Sequence, residues 1–151
     1  MNRRIFLVHG HDEEMKQSVA RFLERLEFEA IILHERPNIG KTIIEKFEAN
    51  SDVGYAVILL APDDIGYSRL QPDSVASRAR QNVIMELGFF LGKLGRNKVS
   101  ILVRITKDFE FPTDIGGMIY TRYDENGGWR LKLAQELHSV GYEIDFTRIP
   151  M

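Results

Sequence analysis

The chain contains no cysteine. That excludes disulfides, thiolate nucleophiles and cysteine-ligated zinc, and it is compatible with a reducing, cytoplasmic setting. No apolar run approaches the roughly 20 residues of a membrane span. Met1-Asn2-Arg3-Arg4-Ile5 enters a strand directly, with too short an apolar run for a signal peptide, so no membrane partner is expected. One-sided charge is also missing: the formal net charge is -2, which offers no electrostatic footprint for nucleic acid. There is no repeat, low-complexity stretch or internal linker. With 151 residues and 44% hydrophobic content the chain can bury one core but not two. The expectation is a single domain over residues 1–147 with a short tail at 148–151.

What is present is an alternation of strand and helix. Ile5-Phe6-Leu7-Val8 is a continuous apolar run ending at His9-Gly10-His11-Asp12, as in a strand buried on both faces. Val19, Phe22, Leu23 and Leu26 recur at helical spacing and predict a helix from Glu13 to Leu26. A second strand is expected over Glu29 to His34. The loop Glu35 to Lys41 follows, then a helix opening at Thr42 with Ile43, Ile44 and Phe47. Ala56-Val57-Ile58-Leu59-Leu60 is the strongest strand signal and stops at Ala61-Pro62-Asp63-Asp64. A polar loop is expected from Gly66 to Ser77. Val99 to Val103 reads as the fourth strand, Ile119 to Thr121 as a weaker fifth, and Gly127-Gly128 as the entry to a last helix carrying Trp129. Tyr142 to Phe146 reads as a short edge segment. The pattern is that of an α/β three-layer fold, a doubly wound, mostly parallel sheet with helices on both faces. Ligands of such sheets collect at the carboxyl ends of the strands.

Against that topology Glu86 stands out. In Arg80-Gln81-Asn82-Val83-Ile84-Met85-Glu86-Leu87-Gly88 the apolar stripe runs through Val83, Leu87, Phe90, Leu91 and Leu94, and Glu86 falls on its border. A carboxylate held against apolar side chains is costly unless paired or used. As the helix follows the third strand, its N-terminal part stands over the ligand-collecting edge.

The order of motifs resembles a TIR domain, of the bacterial TIR-like group of anti-phage effectors that includes STING-TIR and Pycsar proteins. The resemblance is carried by Ile5 to Asp12, by Glu35-Arg36-Pro37-Asn38-Ile39-Gly40-Lys41-Thr42, by Arg80 to Gly88, and by Phe111-Pro112-Thr113-Asp114-Ile115-Gly116-Gly117. It covers nearly the whole chain. One departure is that Val83-Ile84-Met85 stands where animal and plant members often carry a tryptophan before the glutamate. The resemblance implies a flavodoxin-like sheet of five strands in the order 2-1-3-4-5 and cleavage of NAD+ by an NAD+ nucleosidase. It further implies activation by self-assembly into an oligomer or filament, and a sensor of a cyclic nucleotide signal elsewhere in the protein or operon. Glu86 becomes the catalytic carboxylate. His9, Gly10, Asp12, Arg80, Asn82 and Asp114 become substrate-binding candidates, and the loop bearing Pro37, Asn38, Gly40 and Lys41 an assembly surface. NAD+ is a substrate here, and no cofactor or metal is expected.

Other readings of the same residues are open. Gly40-Lys41-Thr42 imitates the end of a P-loop, but Glu35 stands where that motif needs glycine. Pro37 as a stiffener, Gly40 as a turn and Thr42 as a cap explain the loop better. His9, His11, Asp12 and His34 lie near one edge, where capping by Asp12 explains more than metal ligation does. Gly10 and the following helix N-terminus suggest a seat for pyrophosphate, with Lys41 adding charge. Asp63 and Asp64, with Asp12, Glu13 and Lys107, resemble a phosphoacceptor receiver. A non-catalytic TIR module that works only by homotypic assembly is a further alternative.

Overall fold

The computed structural model describes residues 1–32, 45, 48–50, 52–110 and 119–150. In chain order the elements are β1 (Arg4–Val8), α1 (Glu13–Arg25), β2 (Glu29–Ile31), β3 (Tyr55–Leu60), β4 (Asp64–Ser68), β5 (Gln71–Arg78), α2 (Gln81–Leu94), β6 (Val99–Val103), β7 (Phe109–Glu110), β8 (Thr121–Arg122) and α3 (Trp129–Ser139). Single 3-10 turns lie at Arg96–Lys98 and Phe146–Arg148. The main sheet has five strands in the order β2-β1-β3-β6-β8, and every pairing is parallel. This is the flavodoxin-like order expected from the sequence, with β6 and β8 as its fourth and fifth strands.

Strand alternation splits the core into two layers. Ile5, Leu7, Tyr55, Val57 and Leu59 face the layer containing α1 and α3, while Phe6, Val8, Ala56, Ile58 and Leu60 face α2. The apolar stripe of α1 buries Met15, Val19, Phe22 and Leu23 in the first layer, where Phe22 meets Trp129 edge-on at 5.4 Å. Val83, Leu87 and Phe90 of α2 bury in the second, with the Phe90 ring 4.8 Å from Phe6. Removing a side chain as enclosed as Phe90 costs about 3–5 kcal/mol. The two helices therefore lock onto opposite faces of the same central strands.

Several expectations change. Residues Gly66 to Ser77 are not a polar loop: β4 and β5 form an antiparallel hairpin, and β7 adds to β5 in a separate three-stranded sheet. Much of the hairpin is exposed on both faces, so the sequence carries no clear two-residue hydrophobic period there. The second strand ends at Ile31, earlier than expected. The fifth comprises Thr121–Arg122, whereas Ile119 and Tyr120 are exposed. Tyr142 to Phe146 is not an edge strand. Tyr142 is buried against Phe28, and the chain then forms its last 3-10 turn. Arg148 bonds the Arg25 carbonyl at 3.2 Å and Ile149 packs on the first layer, so the C-terminal residues rest on the end of α1. Thr42, Ile43, Ile44 and Phe47 lie outside the described residues.

Candidate active site

Between β1 and β3 the strand order reverses, because β2 lies on one side of β1 and β6 on the far side of β3. Such a switch point opens a crevice at the carboxyl ends of the strands. The loops that follow β1 and β3 meet there. A Cβ on Gly10 would lie 1.8 Å from Asp63 Oδ2, so glycine is required for this close approach. Asp63 Oδ2 is buried without a hydrogen-bond partner among the described residues. Burial raises the Asp63 carboxyl above its ordinary range, opposed by a hydrogen bond from the His11 backbone N–H.

Around Gly10, where the sequence suggests a seat for pyrophosphate, the surroundings are acidic. The space above the glycine holds a carboxyl group, and the N-terminus of α1 is already answered by acids. Asp12 caps the helix, its Oδ1 accepting from the Met15 N–H at 3.0 Å, and Glu13 and Glu14 fill the first turn. Arg104, the first residue beyond β6, donates from Nε to Asp12 Oδ2 at 2.6 Å and from its terminal nitrogen to Glu14. The Tyr123 hydroxyl donates to Glu14 Oε1 at 2.9 Å. Burial alone would raise Glu14, but the Tyr123 and Arg104 hydrogen bonds outweigh it and hold the carboxyl low. Arg104 thus ties the end of β6 to the start of α1 at the rim. Sequence reasoning missed it; its only signal was a cation placed directly after the apolar run Val99 to Val103.

The N-terminus of α2 is built differently. Arg80 takes the N-cap position in extended backbone, its own side chain makes no cap hydrogen bond, and the first turn holds no acid. Asn82 is exposed, Arg80 half-buried, and Glu86 half-buried one turn beyond Asn82. Burial pushes the Glu86 carboxyl up to about 7, while the charge of Arg80 pulls it down. A carboxyl displaced to neutral pH chiefly by desolvation, with a cation in range, is a recurrent mark of functional sites.

The other candidates divide. His9 is half-buried with Nδ1 2.8 Å from the Gly10 carbonyl, and His11 is exposed. Among the described residues no three His, Asp or Glu side chains converge as a metal set. Of the receiver candidates, Asp63 packs on Gly10 with Asp12 and Asp64 in electrostatic range, Asp64 pairs in register with Arg78 in the hairpin, and Asp12 is held by Arg104. His34, Glu35, Pro37, Asn38, Gly40, Lys41 and Asp114 lie outside the described residues. No helix among the described residues is long and apolar enough to cross a membrane.

The chain matches the family described as CAP12/Pycsar effector protein, TIR domain, over residues 4–125. It is 53% identical over 146 residues to the uncharacterized protein YuaY of Escherichia coli K12, covering 96% of this chain and 48% of that protein. Protein tirC of Dictyostelium discoideum is 32% identical over 131 residues, covering 82% of this chain and 65% of that protein. The Pycsar effector protein XpPycTIR of Xanthomonas perforans is 31% identical over 81 residues, covering 53% and 26% respectively. The chain therefore spans less than two thirds of each of these relatives. The sheet order, the sequence of motifs and the match over most of its length agree: the chain belongs to the TIR-domain family of CAP12/Pycsar effectors.

Proposed function

We propose that this TIR domain is an NAD+ glycohydrolase, with Glu86 as its catalytic carboxylate, and that it is the output of an anti-phage system activated by self-assembly. The observation that carries the reading is the half-buried Glu86, raised to about 7 by burial on α2, the helix that lies between β3 and β6 in the chain and follows the β4–β5 hairpin. Its chemistry suits the reaction. Nicotinamide leaves a pyridinium ribose as a neutral molecule, so no general acid is needed, unlike ordinary glycoside hydrolysis. As the C1′–N bond breaks, its electron pair goes to nicotinamide and positive charge develops on the ribose. A carboxylate that accepts hydrogen bonds from ribose hydroxyls orients the sugar and offsets that charge. Water then adds at C1′ and loses a proton, giving ADP-ribose; attack from within the molecule gives a cyclic form instead.

The pyrophosphate is better served by α2 than by α1. The N-terminus of α2 and Arg80 offer donors and positive charge. Arg80 and Glu86 are separated by about 9 Å along the helix axis, at 1.5 Å per residue, a span that a dinucleotide can bridge. His9, Asn82 and Asp114 are retained as substrate contacts, and Pro37, Asn38, Gly40 and Lys41 as the assembly loop. The relative named as a Pycsar effector is longer than this chain, which leaves room for a sensor of a cyclic nucleotide signal in the full protein.

The test is NAD+ turnover at high protein concentration or under enforced clustering. Nicotinamide, linear ADP-ribose and the cyclic form are separated by chromatography. Wild-type protein is expected to release nicotinamide and Glu86→Gln to lose release while keeping its fold; full activity in Glu86→Gln overturns the proposal.

A further inference from the structure

The β4–β5 hairpin carries an unusual share of bare apolar surface. Ile65, Tyr67 and Val75 are 73%, 58% and 50% exposed, and Leu70 in the turn is 91% exposed. The two faces of the hairpin are not alike. On one, Gly66 is buried beneath the Arg78 side chain, which a Cβ at that position would strike at 2.2 Å. On the other, Ile65 lies opposite Ser77, and Val75 follows two residues from Ser77 along the strand. The base of the hairpin is pinned, Ser77 Oγ donating to Asp108 Oδ2 at 3.1 Å. The hairpin is therefore a fixed arm with an apolar tip.

A socket of matching character lies at the root of the arm. A cavity of about 410 Å³ is floored by Ala79, Ile84 and Met85 and rimmed by Arg78 and Glu110. Met85 is 63% exposed. The charges are complementary: the tip carries Arg69 and Asp73 on either side of Leu70, and the socket carries Glu110 and Arg78. A chain cannot fold its own eight-residue β5 back to reach the foot of that strand.

We infer that the occupant of the socket is the hairpin tip of a second copy of this chain, with Leu70 seated on Ile84 and Met85, Arg69 facing Glu110, and Asp73 facing Arg78. Tip and socket are different surfaces, so the contact is heterologous and its repetition propagates a ring or an open filament. The socket wall is α2, and Met85 precedes Glu86, so each docked tip braces the helix that holds the proposed catalytic carboxylate. The inference rests on the self-assembly reading above and adds to its assembly loop a second contact surface.

The experiment uses the full chain and two single variants, Leu70→Asp at the tip and Met85→Asp in the socket. Both positions are exposed, and thermal melts check that each variant folds. Sedimentation velocity over a concentration series is expected to show wild-type protein growing beyond monomer, with each variant associating at least about 30-fold more weakly, as for loss of an interface anchor. Mixing the two variants joins the one intact tip to the one intact socket, and the expected product is a capped dimer. Leu70→Met is expected to assemble like wild type. A monomeric wild type, a Leu70→Asp protein that assembles unchanged, or a mixture that stays monomeric each overturns the inference. Nicotinamide release is read in the same samples. Turnover by a monomeric wild type defeats the surface and leaves the enzyme reading intact, whereas tip-dependent assembly without turnover does the reverse.

Discussion

Replacing Glu86 with Gln should stabilise the protein in a pH-dependent way. The carboxyl ordinarily titrates at 4.5, and burial raises it to about 7 in the folded chain. The folded state holds this proton more tightly than the unfolded state, so the contribution is favourable below 4.5 and is lost as pH rises toward 7. The two values differ by about 2.5, and at about 1.36 kcal/mol per pH unit the ionised form costs the fold at most about 3 kcal/mol at pH 8. At pH 5 the same linkage costs under about 1 kcal/mol. Gln keeps the shape and never ionises. The stability advantage of Glu86→Gln, measured by urea unfolding, should therefore grow by about 2.5 kcal/mol between pH 5 and pH 8. Comparing the two proteins at each pH cancels every other titration. An advantage that does not change with pH would refute the argument, because it would place the carboxyl in water. With NAD+ as substrate, kcat/KM of the wild type should rise through pH 7 as the carboxylate forms.

Three further outcomes follow from the rim and the helix caps. Arg104→Ala frees Asp12 and Glu14 from their shared cation and should cost about 1 kcal/mol in urea unfolding; a loss unaffected by added salt would argue against an ionic origin. Asp124 accepts from the Gly128 and Trp129 N–H groups, both at 2.9 Å, so Asp124→Ala should lower the thermal midpoint of α3 and the domain by the equivalent of about 1 kcal/mol. Burial would raise the Asp124 carboxyl, but those backbone donors hold it below 3.8, so its contribution is present above 3.8 and fades as pH falls through the lower folded value. Gly10→Ala should cost roughly 1–3 kcal/mol by driving a methyl into Asp63, and adding Asp63→Ala should recover much of that loss; strictly additive effects would mean that the two side chains do not compete for one space.

How much of this was legible in the sequence depended on how deeply each element is buried. The strands β1, β3 and β6 are enclosed on both faces, and their continuous apolar runs announced them. The stripe of α1 and its Asp12 cap were equally plain. The hairpin was missed because its strands need few apolar residues and Pro72, Asp73 and Ser74 imitate a loop. The border position of Glu86 followed from helical spacing, but its raised titration depends on how deeply the fold buries it. Asp63 on Gly10 and Arg104 on Asp12 are contacts across 53 and 92 positions, and local pattern says nothing about such pairs.

The two helix N-termini at the rim differ in charge, and the difference bears on how a dinucleotide would lie. At α1, Asp12, Glu13 and Glu14 surround the backbone donors, and Arg104 answers the acids. An anion approaching there meets carboxylates first. At α2 the N-cap side chain makes no cap hydrogen bond, and among the described residues Arg80 supplies the charge that pulls the Glu86 carboxyl down. A tighter cation would depress Glu86 further and occupy the oxygens that the proposed reaction needs for ribose. In the proposed reaction a carboxyl at about 7 would instead be recruited by its substrate: the positive nicotinamide ring would favour the ionised form and shift the proton off on binding. In the proposed enzyme the same burial that costs stability therefore keeps the carboxylate unpaired until a cationic sugar arrives.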